Sequence, residues 1–255
     1  MIVAPKTRWF ARWFAGHARG RLERTFGRVF VSGLDGAKRA LAEGPVLVVA
    51  NHSTWWDALV ALVVSTLWLE ADAYALMDAK NLRRVPFFAR VGAFGVDLDD
   101  PADGARSLRH SVKLLDRPGR LVWVFPEGRE RSPYAPLEGL APGAAQIARL
   151  AKRARVVPIG LRYVFAEAEA PDLYVVIGEP RDAPRDAEQG VRDQTAAIAA
   201  ELARADAAIA ARDASGFTAV IARRESALGR LAERLLAALL PLPSRKGDRA
   251  LGDGG

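Results

Sequence analysis

The sequence predicts an α/β protein: a central, mostly parallel or mixed sheet flanked by helices, with an amphipathic helix at its N-terminal end. Three observations predict it. Short β-type runs alternate with helical stretches along the 255 residues. Several of those runs are apolar without interruption, as strands buried on both faces are. Half of the residues are hydrophobic, enough for one well-filled core in a chain of this length.

The elements follow in order. Near the start, Trp9, Phe10, Trp13 and Phe14 share one stripe of a helix, with Arg8, Arg12 and Arg19 on another side. One reading packs this stripe on the core. The other lays it in a membrane interface, and the density of aromatics beside arginine favours that one. His17 falls in the same stripe as an aromatic-like spacer. The β-type runs are 28–31, 46–50, 73–76, 93–97, 121–125, 156–161 and 173–177, and helical stretches lie near 55–69, 79–90, 102–117 and 140–153. An Ala-rich helix over 188–212 stops at Gly216, and a further helix over 217–240 is closed by Pro241 and Pro243. In that last helix Val220, Ile221, Leu228, Leu231, Leu235 and Leu239 form a stripe beside Arg223, Arg230 and Arg234, for which packing on the core is the preferred reading. The polar, Gly-rich tail 244–255 is expected to be disordered. The implied organisation is a membrane-interface segment 1–27, an α/β core 28–182, C-terminal helices 183–243 and the tail.

Composition excludes several classes. The formal charge of +7 invites anionic partners. Its arginines flank apolar stripes instead of forming a run, and no recognition motif is present, so nucleic acid is not expected. With no cysteine, disulfide and thiolate chemistry are out. His17, His52 and His110 are scattered without metal-ligand spacing, so no metal site is expected. No apolar run reaches the roughly 18 residues of a spanning helix; the longest, 58–69, is broken by Ser65 and Thr66. Arg8 and Arg12 interrupt any signal-peptide core. A peripheral or monotopic place on the cytoplasmic face of the cell membrane is the expectation.

Chemistry concentrates in two places. The run 46–50 ends in Asn51-His52-Ser-Thr-Trp-Trp-Asp57. On a helix, positions five apart sit well off one face. His52 therefore meets Asp57 only if it lies in the loop, folded over the first helical turn. An imidazole with a carboxylate on its other nitrogen is a general base for an incoming hydroxyl. Thr54-Trp-Trp-Asp57 is equally a capping pattern, in which Asp57 would serve backbone N–H groups and His52 would be an ordinary loop residue. No GxSxG elbow exists, so a covalent nucleophile is not implied. The second place is Leu121-Val-Trp-Val-Phe125-Pro126-Glu127-Gly128-Arg129-Glu-Arg131-Ser132, another apolar strand delivering charge at its end. That stretch could be no more than a solvated turn with Pro126 at its first central position.

Together these stretches resemble the glycerolipid acyltransferase family, the 1-acylglycerol-3-phosphate acyltransferases and their relatives. Asn51, His52 and Asp57 match its NHxxxxD block, and Phe125, Pro126, Glu127 and Gly128 match its FPEG block. Val157-Pro158-Ile159 matches a third block, and 143–148 resembles the helix between the last two; the likeness covers roughly 28–180. The resemblance implies non-covalent acyl transfer from acyl-CoA or acyl carrier protein to a lipid hydroxyl, with no cofactor beyond that donor. It implies that His52 is the base and Asp57 its orienter. Asn51, Glu127, Gly128 and one of Arg129 or Arg131 would bind substrate.

Two departures bear on the acceptor. Where relatives place an arginine for the acceptor phosphate, this chain has Leu98, followed by Asp99 and Asp100; Arg106 or Arg109 would have to compensate. The loop after Gly128 is one residue longer than usual, which makes Arg129 and Arg131 rivals. A lysophospholipid-type acceptor is the leading expectation. A non-phosphorylated lipid, such as a lipid glycoside or hydroxy lipid, is the alternative. A catalytically idle lipid-binding module is the reading from another class.

Overall fold

The structure is a computed structural model that describes residues 1–223 apart from 4, 98, 166 and 167. Leu98, most of the expected helix over 217–240 and the tail 244–255 therefore lie outside the described residues. Within them the chain runs α1 (Arg8–Thr25), β1 (Arg28–Ser32), α2 (Leu34–Glu43), β2 (Val46–Ala50) and α3 (Asp57–Val63), which continues as a π-helical turn, Val64–Trp68. Then come β3 (Asp72–Asp78), α4 (Ala79–Arg84), α5 (Phe87–Val91), β4 (Ala93–Val96), α6 (Pro101–Leu114), β5 (Arg120–Val124) and α7 (Gly143–Leu150). The last four are β6 (Arg155–Val164), β7 (Asp172–Ile177), α8 (Ala187–Ala211) and β8 (Thr218–Ala222).

The sheet has eight strands in the order β4-β3-β5-β2-β6-β7-β1-β8. The first five are mutually parallel. β7 runs antiparallel to β6 and parallel to β1, and β8 is antiparallel to β1. The expected mixed α/β sheet is thus what the chain forms. Its consequence for function is direct, because five C-terminal strand ends, including those of β2, β5 and β6, open onto one edge.

Alternation along β2 shows how both faces are covered. Val46, Val48 and Ala50 face a core built with α1, α2, α3 and α5, whereas Leu47 and Val49 face α6, α7 and α8. All five residues are buried, which is why the run carries no polar position. α1 packs through Ala11, Ala15, Ala18 and Leu22, small residues at helical spacing that let it lie close. Across the other face, α8 crosses β6 at Gly160. A Cβ there would stand 2.8 Å from backbone atoms of Glu201 and Leu202, so only glycine fits.

Several boundaries differ from expectation for identifiable reasons. The stretch 79–90 forms two short helices because Pro86 has no N–H to continue the first. The helix expected over 55–69 begins at Asp57 and widens at Val64, where Leu69 N–H reaches the Val64 carbonyl and Ser65 Oγ accepts from the Trp123 indole. Residues 218–222, expected to open a helix, form β8 instead. Thr218, Val220 and Ile221 are β-branched, and β1 offers them an open edge. α2 lies outside the expected helical stretches, since Gly33 and Gly36 mask its short apolar pattern. Residues 1–222 form one compact unit, in which α1 packs chiefly on α3, its π-helical continuation and α5, and α8 packs on β6 and β7.

Candidate active site

Asn51 is where β2 hands the chain to the loop. It is buried, its Oδ1 accepts the Leu161 N–H at 2.8 Å, and its Nδ2 donates to the Leu161 carbonyl at 3.1 Å. That amide replaces one more rung of the β2–β6 ladder and frees the backbone of His52. The second loop takes that backbone up. Glu127 Oε1 accepts the His52 N–H at 2.7 Å, and Arg131 N–H donates to the His52 carbonyl at 2.8 Å. Between them the turn Phe125–Gly128 closes with Gly128 N–H on the Phe125 carbonyl at 3.0 Å, and Gly128 supplies the left-handed φ of +70°. The Phe125 ring stacks on the imidazole, centroids 4.5 Å apart.

The imidazole is therefore held by Phe125 on one face and by Asp57 at one nitrogen, on a backbone held by Glu127 and Arg131. Its Nδ1 lies 2.8 Å from Asp57 Oδ2, and Asp57 is fully buried. The same oxygen accepts from Ser53 N–H at 2.7 Å and Thr54 N–H at 3.0 Å. The other oxygen accepts the Tyr163 hydroxyl at 2.7 Å. The carboxylate thus gathers the N–H groups that lead into α3 and also meets the histidine ring. With Nδ1 donating to the carboxylate, Nε2 is left as the acceptor of the neutral ring. This arrangement can take a proton from a hydroxyl and stabilise the imidazolium that results.

A cavity of about 210 Å³ adjoins the pair, lined by Asn51, His52, Glu127, Arg131 and Arg162 with α8 residues such as Leu202. A larger one, about 310 Å³, lies between the first half of α8 and β6, and none of the paired residues line it. Of the residues expected to bind substrate, Asn51 and Glu127 line the smaller cavity, but their polar atoms hold Leu161 and His52. Burial raises the Glu127 carboxyl above its ordinary value, against the opposing pull of the His52 N–H and Arg131. Arg131 lines the cavity, whereas Arg129 is exposed outside its lining. Tyr163 and Arg162 were missed. The usable signal was the alternation Ile159, Leu161, Tyr163 on one face of β6, hidden because the strand was expected to end at 161.

A family model described as Acyltransferase matches residues 28–162, over half of the chain. The chain belongs to the glycerolipid acyltransferase family. No match was found among curated proteins. In this acyltransferase the match spans β1 to β6 and so contains the His52–Asp57 pair and the Glu127 turn.

Other expected residues of the acyltransferase are placed as follows. At the end of β4, Asp97 N–H donates to Asp103, Lys80 pairs with Asp99 at 2.7 Å, and Arg106 pairs with both Asp100 and Asp103. Arg106, expected to compensate for Leu98, is thus already engaged, and Arg109 is exposed; neither lines the cavity. β4 stands three strands from β2, roughly 14 Å away at the usual spacing. On α1, Trp9 and Trp13 are 72% and 62% exposed, and Phe10 and Phe14 are half-buried. Phe14 meets Phe87 of α5 at 4.8 Å, and His17 stacks on Phe14. Trp55, from the loop between His52 and Asp57, is half exposed under the Arg21 guanidinium, 5.0 Å away. No helix among the described residues is long and apolar enough to cross a membrane.

Proposed function

We propose that this acyltransferase moves a fatty acyl group from an acyl thioester, acyl-CoA or acyl carrier protein, to a hydroxyl of a lysophospholipid-type acceptor. The reaction proceeds at a membrane surface, without a covalent enzyme intermediate. His52 Nε2 takes the acceptor's hydroxyl proton as the oxygen adds to the thioester carbonyl. The C–S bond then breaks, and the proton passes from the imidazolium to the departing thiolate. Asp57 holds the ring and offsets its transient charge.

The observation that carries this reading is the His52–Asp57 contact, held by Glu127 and Arg131 beside a cavity. Association with the cytoplasmic face of the membrane is supported by the exposed Trp9 and Trp13, beside exposed Arg8 and Arg12. The test is His52→Ala in purified protein. Acceptor-dependent thiol release should fall by about 10³-fold or more, as losses of a general base do, with an unchanged thermal melt. Normal turnover in that variant would remove His52 from the mechanism. Vesicle binding by the wild type, with no thioester consumed for any acceptor, would favour a lipid-binding module instead.

A further inference from the structure

The cavity beside His52 holds two cations and two carboxylates, and each cation is already matched. Arg162 forms a two-pronged pair with Asp206, Nε to Oδ1 at 2.8 Å and Nη2 to Oδ2 at 3.0 Å; its Nη1 donates to the Pro133 carbonyl at 3.0 Å. Arg131 donates through Nη1 to the Glu138 carbonyl at 2.6 Å, with its Nε 3.8 Å from Glu127 Oε2. With His52 neutral, as a base must be, the charged side chains lining this cavity sum to zero among the described residues. The cations at the end of β4, Lys80 and Arg106, are likewise engaged with Asp99, Asp100 and Asp103.

A phosphate monoester carries nearly two negative charges at neutral pH and is held best by unpaired, forked guanidinium groups. Arg131 has N–H groups left to meet one of those charges, but a second guanidinium would have to come from Arg162, pulled away from Asp206, leaving that carboxylate facing the phosphate. A head with no net charge asks for no such rearrangement. A zwitterion sets its cation against half-exposed Asp206 and its anion against the remaining N–H groups of Arg131. An uncharged polar head uses the same groups as hydrogen-bond partners.

We infer that the Arg162–Asp206 pair selects an acceptor whose head is electroneutral, zwitterionic or uncharged, and disfavours a phosphate monoester. The inference rests on the acyl-transfer reading above; it narrows a lysophospholipid-type acceptor to a zwitterionic one, or replaces it by an uncharged lipid.

The test measures thiol release from one acyl-CoA with three lyso-acceptors of the same chain: a 1-acylglycerol 3-phosphate, a 1-acylglycerophosphocholine and a monoacylglycerol. Wild-type protein should show kcat/KM at least tenfold higher for one or both electroneutral acceptors than for the phosphate monoester. The ranking of those two separates the zwitterionic from the uncharged source. Asp206→Asn, which frees Arg162, should raise the rate on the phosphate monoester several-fold and narrow the gap. A wild-type preference for the phosphate monoester, or equal rates on all three, overturns the inference and leaves acyl transfer standing. Thiol release with none of the three overturns both. If the variant fails to fold, the wild-type ranking decides by itself.

Discussion

Asp57 is the most heavily bonded side chain of the site, and one of its partners is a residue that motif reading could not supply. Burial, and then the Asp57 carboxylate beside it, raises the Tyr163 phenol well above its ordinary value. The hydroxyl therefore stays protonated and donates to Oδ1 throughout the range in which a histidine titrates. It acts through Asp57, as a positioning residue. Tyr163→Phe leaves the ring's packing and removes that donor, at a cost of about 1 kcal/mol. We expect kcat to fall roughly five- to tenfold, with KM little changed. Asp57 keeps the Ser53 and Thr54 N–H donors on its other oxygen, so the loss is confined to the positioning of Oδ1. A tyrosine that merely filled space would leave kcat unchanged on that substitution. His52 and Asp57 were legible because one loop carries both. Tyr163, 106 positions from Asp57, comes to it only through strand pairing.

Among the elements, β2 and β6 set the site by ending at different places: β2 stops at Ala50, opposite Ile159, and β6 runs on to Val164, which brings Tyr163 to Asp57. The apolar strands were legible because burial on both faces leaves them no polar position to break the run. What was not legible depended on neighbours. β8 forms because β1 has a free edge, and the π-helical turn at Val64 accompanies the meeting of Ser65 and the Trp123 indole. The last joint between β2 and β6 is the Asn51 amide. Asn51→Ala leaves the Leu161 N–H and carbonyl buried without a partner, which costs about 1–3 kcal/mol. A lower urea midpoint with an unchanged slope is the expected result, together with reduced turnover as His52 loses its anchor. An unaltered midpoint would mean that the joint contributes nothing.

At the scale of the whole molecule, the sheet reverses direction between β6 and β7, so the five parallel strands end on one side and the site gathers there. The outer surface of α1 belongs to the same scale. Its aromatics were legible as a stripe, but the alanine face that anchors the helix to the core was not, because small residues give little periodic signal. Replacing Trp9 and Trp13 by alanine removes two exposed rings, each worth about 1.5–3 kcal/mol when fully buried. Under the proposed membrane docking, co-sedimentation with anionic vesicles should drop at least tenfold, and the wild-type interaction should weaken in about 1 M salt as charges are screened. Undiminished sedimentation of the double variant would place the docking face elsewhere. Gly160 sets a further limit. Since α8 rests main chain to main chain on it, and Ala199, Leu202, Ala203 and Asp206 ride on that helix as one wall of the space beside His52, the clearance there is gauged by a missing methyl. An added carbon at that spot would act as a shim, lifting the wall and recalibrating how bulky a guest the enzyme admits.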